Sequence, residues 1–274
     1  DMKELCDLLH DKGFKYVEGF NAQHEETYKV RVNYLEYCDI TYMPKIIYSK
    51  MPKIKINNIF YSGFNFVVVD ILRMFNDPLS SYWRITKNGK RALKLFKYYS
   101  LNLNPKFNII DYNKEKNLLD FIRKKIIIDS KLIVIGYFAF EYFKQKNNKD
   151  LGDLYVPYYE VISDDIINFT DNVCNILKKN FNNIIKKEYR PFFQFLDKKF
   201  SFFYNNKKIL TIYGNNNYCV PYIYLEKKNI NIGSYNVVLM YLIINSIYYD
   251  IYINKEKNNI DFLIKNLIEN SNLF

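Results

Sequence analysis

A period-two run near the start of the chain does most to limit its fold. It reads Thr27-Tyr-Lys-Val-Arg-Val-Asn-Tyr-Leu-Glu-Tyr-Cys-Asp-Ile-Thr-Tyr-Met-Pro44. Tyr28, Val30 and Val32 alternate with Lys29, Arg31 and Asn33, the pattern of a half-buried strand. After a short polar turn a second strand is expected from Tyr37 to Tyr42. Its alternation sets Cys38, Ile40 and Tyr42 on one face and Tyr37, Asp39 and Thr41 on the other. Aspartate is depleted in strands, so Asp39 needs a reason. Two are open: an edge-strand carboxylate accepting a local hydrogen bond, or a carboxylate held on an open sheet face for a divalent cation.

The rest of the chain mixes helical and extended periods, which points to an α+β fold rather than a bundle. Met2 to Lys12 reads as an amphipathic helix with Leu5, Leu8 and Leu9 inward and Gly13 as its C-cap. Ile54 to Tyr61 reads as one short strand. Phe66 to Phe75 reads as an apolar helix carrying an Asp70–Arg73 pair. Pro78 is placed in the first turn of a helix from Leu79 to Tyr99, with Asp77 as N-cap candidate. The polar stretch Asn102–Lys116 is the expected linker.

Beyond it we expect helix Leu118–Lys125, strand Leu132–Ile135, Gly136 and helix Phe138–Lys144. Strand Tyr155–Ile162 and helix Ile167–Phe181 follow, then extended runs at Phe192–Leu196, Phe200–Tyr204 and Ile209–Tyr213. Helices at Val237–Tyr249 and Ile260–Ile268 close the order. The Asn/Lys-rich stretches 147–150, 215–217 and 255–259 read as surface loops.

The chain of 274 residues is long enough for one large domain or two ordinary ones. No stretch has the ~18 uncharged apolar residues of a membrane span, and the most apolar run, Val237–Ile247, reads as a buried helix. A net charge of +11 favours a polyanionic partner, nucleic acid first. Lys, Asn, Ile, Tyr and Phe crowd the sequence, as AT-rich coding would produce, and that bias raises lysine without any functional demand. The four cysteines, Cys6, Cys38, Cys174 and Cys219, lack metal-type spacing and read as buried, reduced thiols. With only two histidines, any active site is expected to rest on carboxylates.

Three constellations carry chemistry. Asp39 suits a cation in nucleotidyl transfer, where two metals clamp the attacking hydroxyl and the triphosphate. Arg84, Lys87 and Arg91 fall three and four apart on one helical face, flanked by Lys90 and Lys94. Such a stripe is either a solvated helix face or a contact for a triphosphate or an RNA backbone. Trp83 beside it is expected in the core. Ser163-Asp164-Asp165, after the Gly136 strand–helix unit, reads either as a helix N-cap or as an echo of a nucleotidyltransferase metal site.

Ala22-Gln-His-Glu-Glu-Thr-Tyr28, Cys38-Asp-Ile-Thr-Tyr-Met-Pro44 and Asp70-Ile-Leu-Arg-Met with Asn76-Asp-Pro-Leu-Ser-Ser-Tyr-Trp-Arg84 resemble the poly(A) polymerase catalytic subunits of large cytoplasmic DNA viruses. Tyr158–Ser163, Glu188–Gln194, Cys219–Pro221 and Ile232–Ser234 extend the resemblance more loosely. It implies the remainder of a nucleotidyltransferase domain (1–101, mixed sheet with helices and the basic helix), then a degenerate nucleotidyltransferase-like domain (117–274). It also implies template-independent addition of AMP from ATP to RNA 3′ ends, with Mg²⁺ or Mn²⁺. Asp39 would be the third catalytic and metal-binding carboxylate, and Arg84, Lys87 and Arg91 would contact ATP phosphates or RNA. The first two carboxylates of the pattern have no counterpart before Asp39. The chain is therefore expected to be a fragment, inactive alone, of a polynucleotide adenylyltransferase. ATP and an RNA 3′ end would be its partners, with a homodimer or a separate processivity subunit and no membrane. The resemblance implies work in the host cytoplasm, a viral factory or the virion. The alternatives are a non-enzymatic basic RNA-binding or assembly module of degenerate nucleotidyltransferase fold, and an enzyme adding uridylate.

Overall fold

A computed structural model of the chain describes residues 2–22, 27–105, 115–128, 130–144, 156–215, 218–252 and 257–269. It separates into two units, Asp1–Lys50 and Met51–Phe274.

The first unit is a helix on a three-stranded antiparallel sheet. Helix α1 (Met2–Asp11) stops at Gly13, whose φ of +88° suits a residue without Cβ. Met2, Leu5, Cys6 and Leu9 pack on Val17, Val30 and Val32, whereas Leu8, expected inward, is exposed. Strands β1 (Val17–Asn21), β2 (Thr27–Val32) and β3 (Leu35–Thr41) lie in that order. The second strand starts two residues earlier than expected. Its turn is only Asn33-Tyr34, both at positive φ (49° and 67°). That is a primed two-residue turn, which matches the twist of the strands it joins. Helix α2 (Lys45–Lys50) ends the unit.

In the second unit, β4 (Lys53–Ile56) and β5 (Ile59–Ser62) form a hairpin where one strand was expected. Asn57-Asn58 makes the same kind of turn, with φ of 47° and 62°. Helix α3 (Phe64–Asn76) holds the Asp70–Arg73 pair at 3.8 Å. The single helix expected from Leu79 to Tyr99 is divided. Helix α4 (Pro78–Ser81) and a 3-10 turn at Tyr82–Arg84 precede α5 (Ile85–Tyr98). Asp77 stands at the N-cap of α4 but its side chain caps nothing.

A seven-stranded mixed sheet forms the centre of this unit. Helix α6 (Lys116–Ile122) runs into a π-helical turn, Arg123–Ile127. Then come β6 (Ile133–Ile135), α7 (Gly136–Lys144), β7 (Tyr159–Ser163), α8 (Ile166–Asn180) and β8 (Ile184–Tyr189). Next are β9 (Lys199–Tyr204), β10 (Lys207–Gly214), β11 (Tyr222–Leu225) and β12 (Ile230–Gly233). Helices α9 (Tyr235–Tyr252) and α10 (Lys257–Glu269) complete the chain order.

The strand order is β11-β12-β6-β7-β10-β9-β8. Only β12/β6 and β7/β10 are parallel pairs. All five residues of β7 are buried, so both faces are covered there. Helix α9 is buried and largely apolar around its circumference, with α3, α7, α10, β6 and β12 packed against it. Among the described residues no helix is long and apolar enough to cross a membrane.

Three sequence expectations change here. Phe192–Leu196 is a tight loop, with the Phe192 N–H donating to the Leu196 carbonyl at 2.9 Å and Phe193 at φ +52°. Phe192 and Phe195 are buried there without a strand, and Phe193 and Phe195 pack on Phe66 of α3. The strand lies earlier, at β8, whose Lys186-Lys187-Glu188 hid it; polar residues are what an edge strand carries. The expected linker at 102–116 falls inside the second unit, where the Asn104 N–H donates to Asp261 of α10 at 2.8 Å; residues 106–114 lie outside the described residues.

Candidate active site

Asp39 sits on β3 opposite Lys29 of β2. Cross-strand partners share a face, so Asp39, Lys29, Thr27 and Thr41 lie on one side of the small sheet. The other side carries Val30 and Val32 and is covered by α1. Asp39 is thus exposed on the face α1 leaves open. The Thr27 and Thr41 hydroxyls meet at 3.0 Å and hold the two strands beside it.

A β-bulge alters the face expected from alternation. The register shifts so that Val30 opposes Cys38 while Arg31 opposes Glu36. Tyr37 is the extra residue, and Glu36 moves onto the side of Asp39. Lys29 Nζ then donates to Glu36 at 2.7 Å, and this hydrogen bond holds the Glu36 carboxyl below its usual range. Arg31 pairs with Glu18 at 3.0 Å and lies over the Phe20 ring. Both neighbouring acids are therefore occupied. Asp39 makes no ion pair or side-chain hydrogen bond among the described residues.

Mg²⁺ is held by oxygen donors, commonly one or two carboxylates with water and substrate phosphates. Asp39 offers one such donor. Among the described residues no group of three or more His, Cys, Asp or Glu converges. By themselves these residues do not form a two-metal site. Glu25 and Glu26 of the Ala22–Tyr28 motif lie outside the described residues.

The basic stripe sits in the second unit. Arg84 closes the 3-10 turn, half-buried, with its guanidinium 5.8 Å from the Trp83 ring. Lys87, Lys90, Arg91 and Lys94 are exposed on α5. None of the five has a carboxylate partner among the described residues. The opposite side of α5 faces inward, where Asn88 donates to the Met74 sulfur of α3. Trp83, expected in the core, is 52% exposed. The 3-10 turn breaks the helical period that would have turned it inward.

Ser163-Asp164-Asp165 does not form the carboxylate site of the β6–Gly136–α7–β7 unit. Asp165 caps α8, accepting from the Asn168 N–H at 3.3 Å and its Nδ2 at 2.8 Å. The carboxylate that faces Gly136 is Glu160 of β7, which sequence reasoning missed. A Cβ on Gly136, itself at φ +62°, would run into the Glu160 carboxylate at Oε2. The signal was present as a single acid inside Tyr-Tyr-Glu-Val-Ile. Glu160 is buried and accepts from the Tyr213 hydroxyl at 2.7 Å and from Asn245 at 3.4 Å. Burial first, and the Glu160 charge second, drive the Tyr213 phenol far above its usual range. Of the cysteines only Cys174 is buried; Cys6 is half-buried, and Cys38 and Cys219 are exposed.

Residues 1–81 match the family model "Poly(A) polymerase catalytic subunit". Residues 94–274 match "APMV, Putative poly(A) polymerase, catalytic subunit, C-terminal". The whole chain is 29% identical to the "Putative poly(A) polymerase catalytic subunit" of Acanthamoeba polyphaga mimivirus, of which it covers 54%. The protein of the same name from African swine fever virus (isolate Pig/Kenya/KEN-50/1950) is 39% identical over 59 residues, which are 22% of this chain and 12% of that protein. The crystal structure of the Megavirus polyadenylate synthase superimposes on 98% of this chain and 56% of its own, with a TM-score of 0.83 and 28% identity. The chain thus spans about half the length of the mimivirus relative and of the Megavirus enzyme. Its α+β fold is that of a viral polyadenylate synthase over nearly every residue, and the chain belongs to the family of viral poly(A) polymerase catalytic subunits.

Proposed function

We propose that this chain is part of a template-independent polynucleotide adenylyltransferase that adds AMP from ATP to RNA 3′ ends. The agreement in fold with the Megavirus polyadenylate synthase over 98% of the chain carries the reading. On this reading Asp39 is one oxygen ligand of a divalent cation, Mg²⁺ or Mn²⁺. Its exposed position, and its lack of a partner among the described residues, support that role. Arg84, Lys87 and Arg91 contact polyphosphate, either of ATP or of the RNA backbone. Residues 117–274 form a nucleotidyltransferase-like domain without activity, because Glu160, the carboxylate facing its glycine, is buried and bonded to Tyr213 and Asn245. The enzyme acts as a homodimer or with a separate processivity subunit, in the host cytoplasm, a viral factory or the virion.

One donor, all that the described residues offer, cannot hold two metals, so the chain alone is expected to be inactive. The test is incorporation of labelled ATP into an oligonucleotide by a protein extended to the length of its relatives. Asp39→Ala should lower its rate by at least about a hundredfold, the scale of several kcal/mol of transition-state stabilisation. An unchanged rate in Asp39→Ala, or a folded extended protein with no incorporation, rejects the reading.

A further inference from the structure

Two exposed aromatics stand directly before α5. Tyr82 is 70% and Trp83 52% exposed, and their rings meet edge to face at 5.2 Å. Folding normally removes so large an apolar ring from water, at a gain of roughly 1.5–3 kcal/mol for a large side chain. Here the 3-10 turn at Tyr82–Arg84 presents both rings outward, directly before α5. Arg84 lies over the Trp83 ring and supports one side of it.

Helix α5 then supplies charge of one sign. Its sequence, Ile-Thr-Lys-Asn-Gly-Lys-Arg-Ala-Leu-Lys-Leu-Phe-Lys-Tyr, contains five cations and no acid. At 3.6 residues per turn, Lys87, Lys90, Arg91, Lys94 and Lys97 fall within an arc of about 120°. The exposed Tyr98 lies within the same arc, with Lys97 5.4 Å from its ring. An unbalanced cationic helix face costs stability through self-repulsion. A row of phosphates would offset it, and a ring free on one side would take a base.

We infer that Tyr82, Trp83, Arg84 and the cationic face of α5 form a track for single-stranded nucleic acid. A base stacks on Trp83 and successive phosphates lie along Lys87, Arg91 and Lys94. Stacking on aromatics combined with a basic groove is the general chemistry of single-strand binding without sequence readout. The inference rests on the adenylyltransferase reading only for the source of the strand. It assigns the stripe to the RNA rather than to ATP, and it adds the two aromatics.

Trp83 is the only tryptophan in the chain, so its fluorescence reports this site alone. Titrating the chain with a single-stranded oligoadenylate of about twelve nucleotides at low salt should quench that fluorescence. Trp83→Ala should weaken binding, followed by anisotropy of a labelled oligonucleotide, by about 5- to 160-fold, the range of one stacked base. Trp83→Phe should retain most of the affinity. Lys87→Ala combined with Arg91→Ala should reduce the slope of log affinity against log salt by about 1.4, since each phosphate contact on a single strand contributes about 0.7. Removing Lys178 and Lys179, exposed at the end of α8, should change that slope by less than half as much. These side chains are at the surface, and thermal melting of each variant checks that its fold is retained.

Binding without quenching, or equal weakening by the α8 pair, overturns the inference. So does quenching by ATP alone with none by the oligonucleotide. Any of these, together with intact AMP incorporation by the extended protein, rejects the track and leaves the adenylyltransferase reading standing. A track confirmed by quenching without incorporation does the reverse.

Discussion

An exposed carboxylate on an open strand face adds little to the stability of its sheet. Among the described residues Asp39 has no partner to lose, so Asp39→Ala should move the unfolding free energy by less than about 0.5 kcal/mol, while lowering incorporation in the extended protein by at least about a hundredfold. Equilibrium urea unfolding separates the two effects. Glu160 is the opposite case. It is buried, and its neighbours Tyr213 and Asn245 both donate to it. Glu160→Leu would remove an acceptor from both and leave the Tyr213 hydroxyl and the Asn245 amide their contacts with each other, at 3.3 and 3.1 Å; it should cost on the order of 1–3 kcal/mol, while Glu160→Gln, which keeps an acceptor oxygen, should cost less. Equal losses in the two variants would show that the network matters only for its packing. Sequence reading found Asp39 because a lone acid stands out in an alternating run. It passed over Glu160 because an acid in a strand buried on both faces shows no alternation.

The hairpins show how far local chemistry reaches at the scale of elements. Asn33-Tyr34, Asn57-Asn58 and Asn205-Asn206 each close a two-residue turn with both residues at positive φ. Asparagine tolerates that region better than branched residues do. Asn206, at φ 63° between β9 and β10, should accept glycine at a cost below about 0.5 kcal/mol, whereas Asn206→Val should cost about 1–2 kcal/mol. Thermal melting of the pair of variants checks this. The Asn-Asn signal is legible at 57–58, yet the run from Ile54 to Tyr61 reads as one strand because every residue around it is apolar or basic. The division of the Leu79–Tyr99 helix was not legible. Tyr82–Arg84 is compatible with either helix type, and only the surroundings decide.

At the scale of the whole molecule, the central sheet and α9 bury phenols that must stay neutral. Burial drives Tyr213 and Tyr241 far above the usual range and pushes Tyr248 up to about 12. In the unfolded chain these groups ionise near about 10. Below that pH they are protonated in both states and contribute no slope. Above it the unfolded chain releases protons that the folded chain retains, so stability falls as pH rises toward the folded values. The urea midpoint should therefore be unaffected by these tyrosines from pH 7 to 9 and decline above about 10. Tyr241→Phe should lessen that decline; an undiminished decline would place its cause elsewhere.

The sequence by itself determined the alternation of helices and strands, the position of Asp39, the basic stripe on α5 and the family, because these depend on periodicity, charge and residue order along a short stretch. Only the tertiary structure decided which acid faces Gly136, which aromatics stay outside, and that Glu36 shares the face of Asp39. Those outcomes turn on a one-residue bulge inside a hairpin, a 3-10 turn, and the pairing of β6 with β7 across α7, which sets Ile135 opposite Glu160. A local pattern carries no record of such contacts, since the same residues satisfy their own backbone equally well in either arrangement.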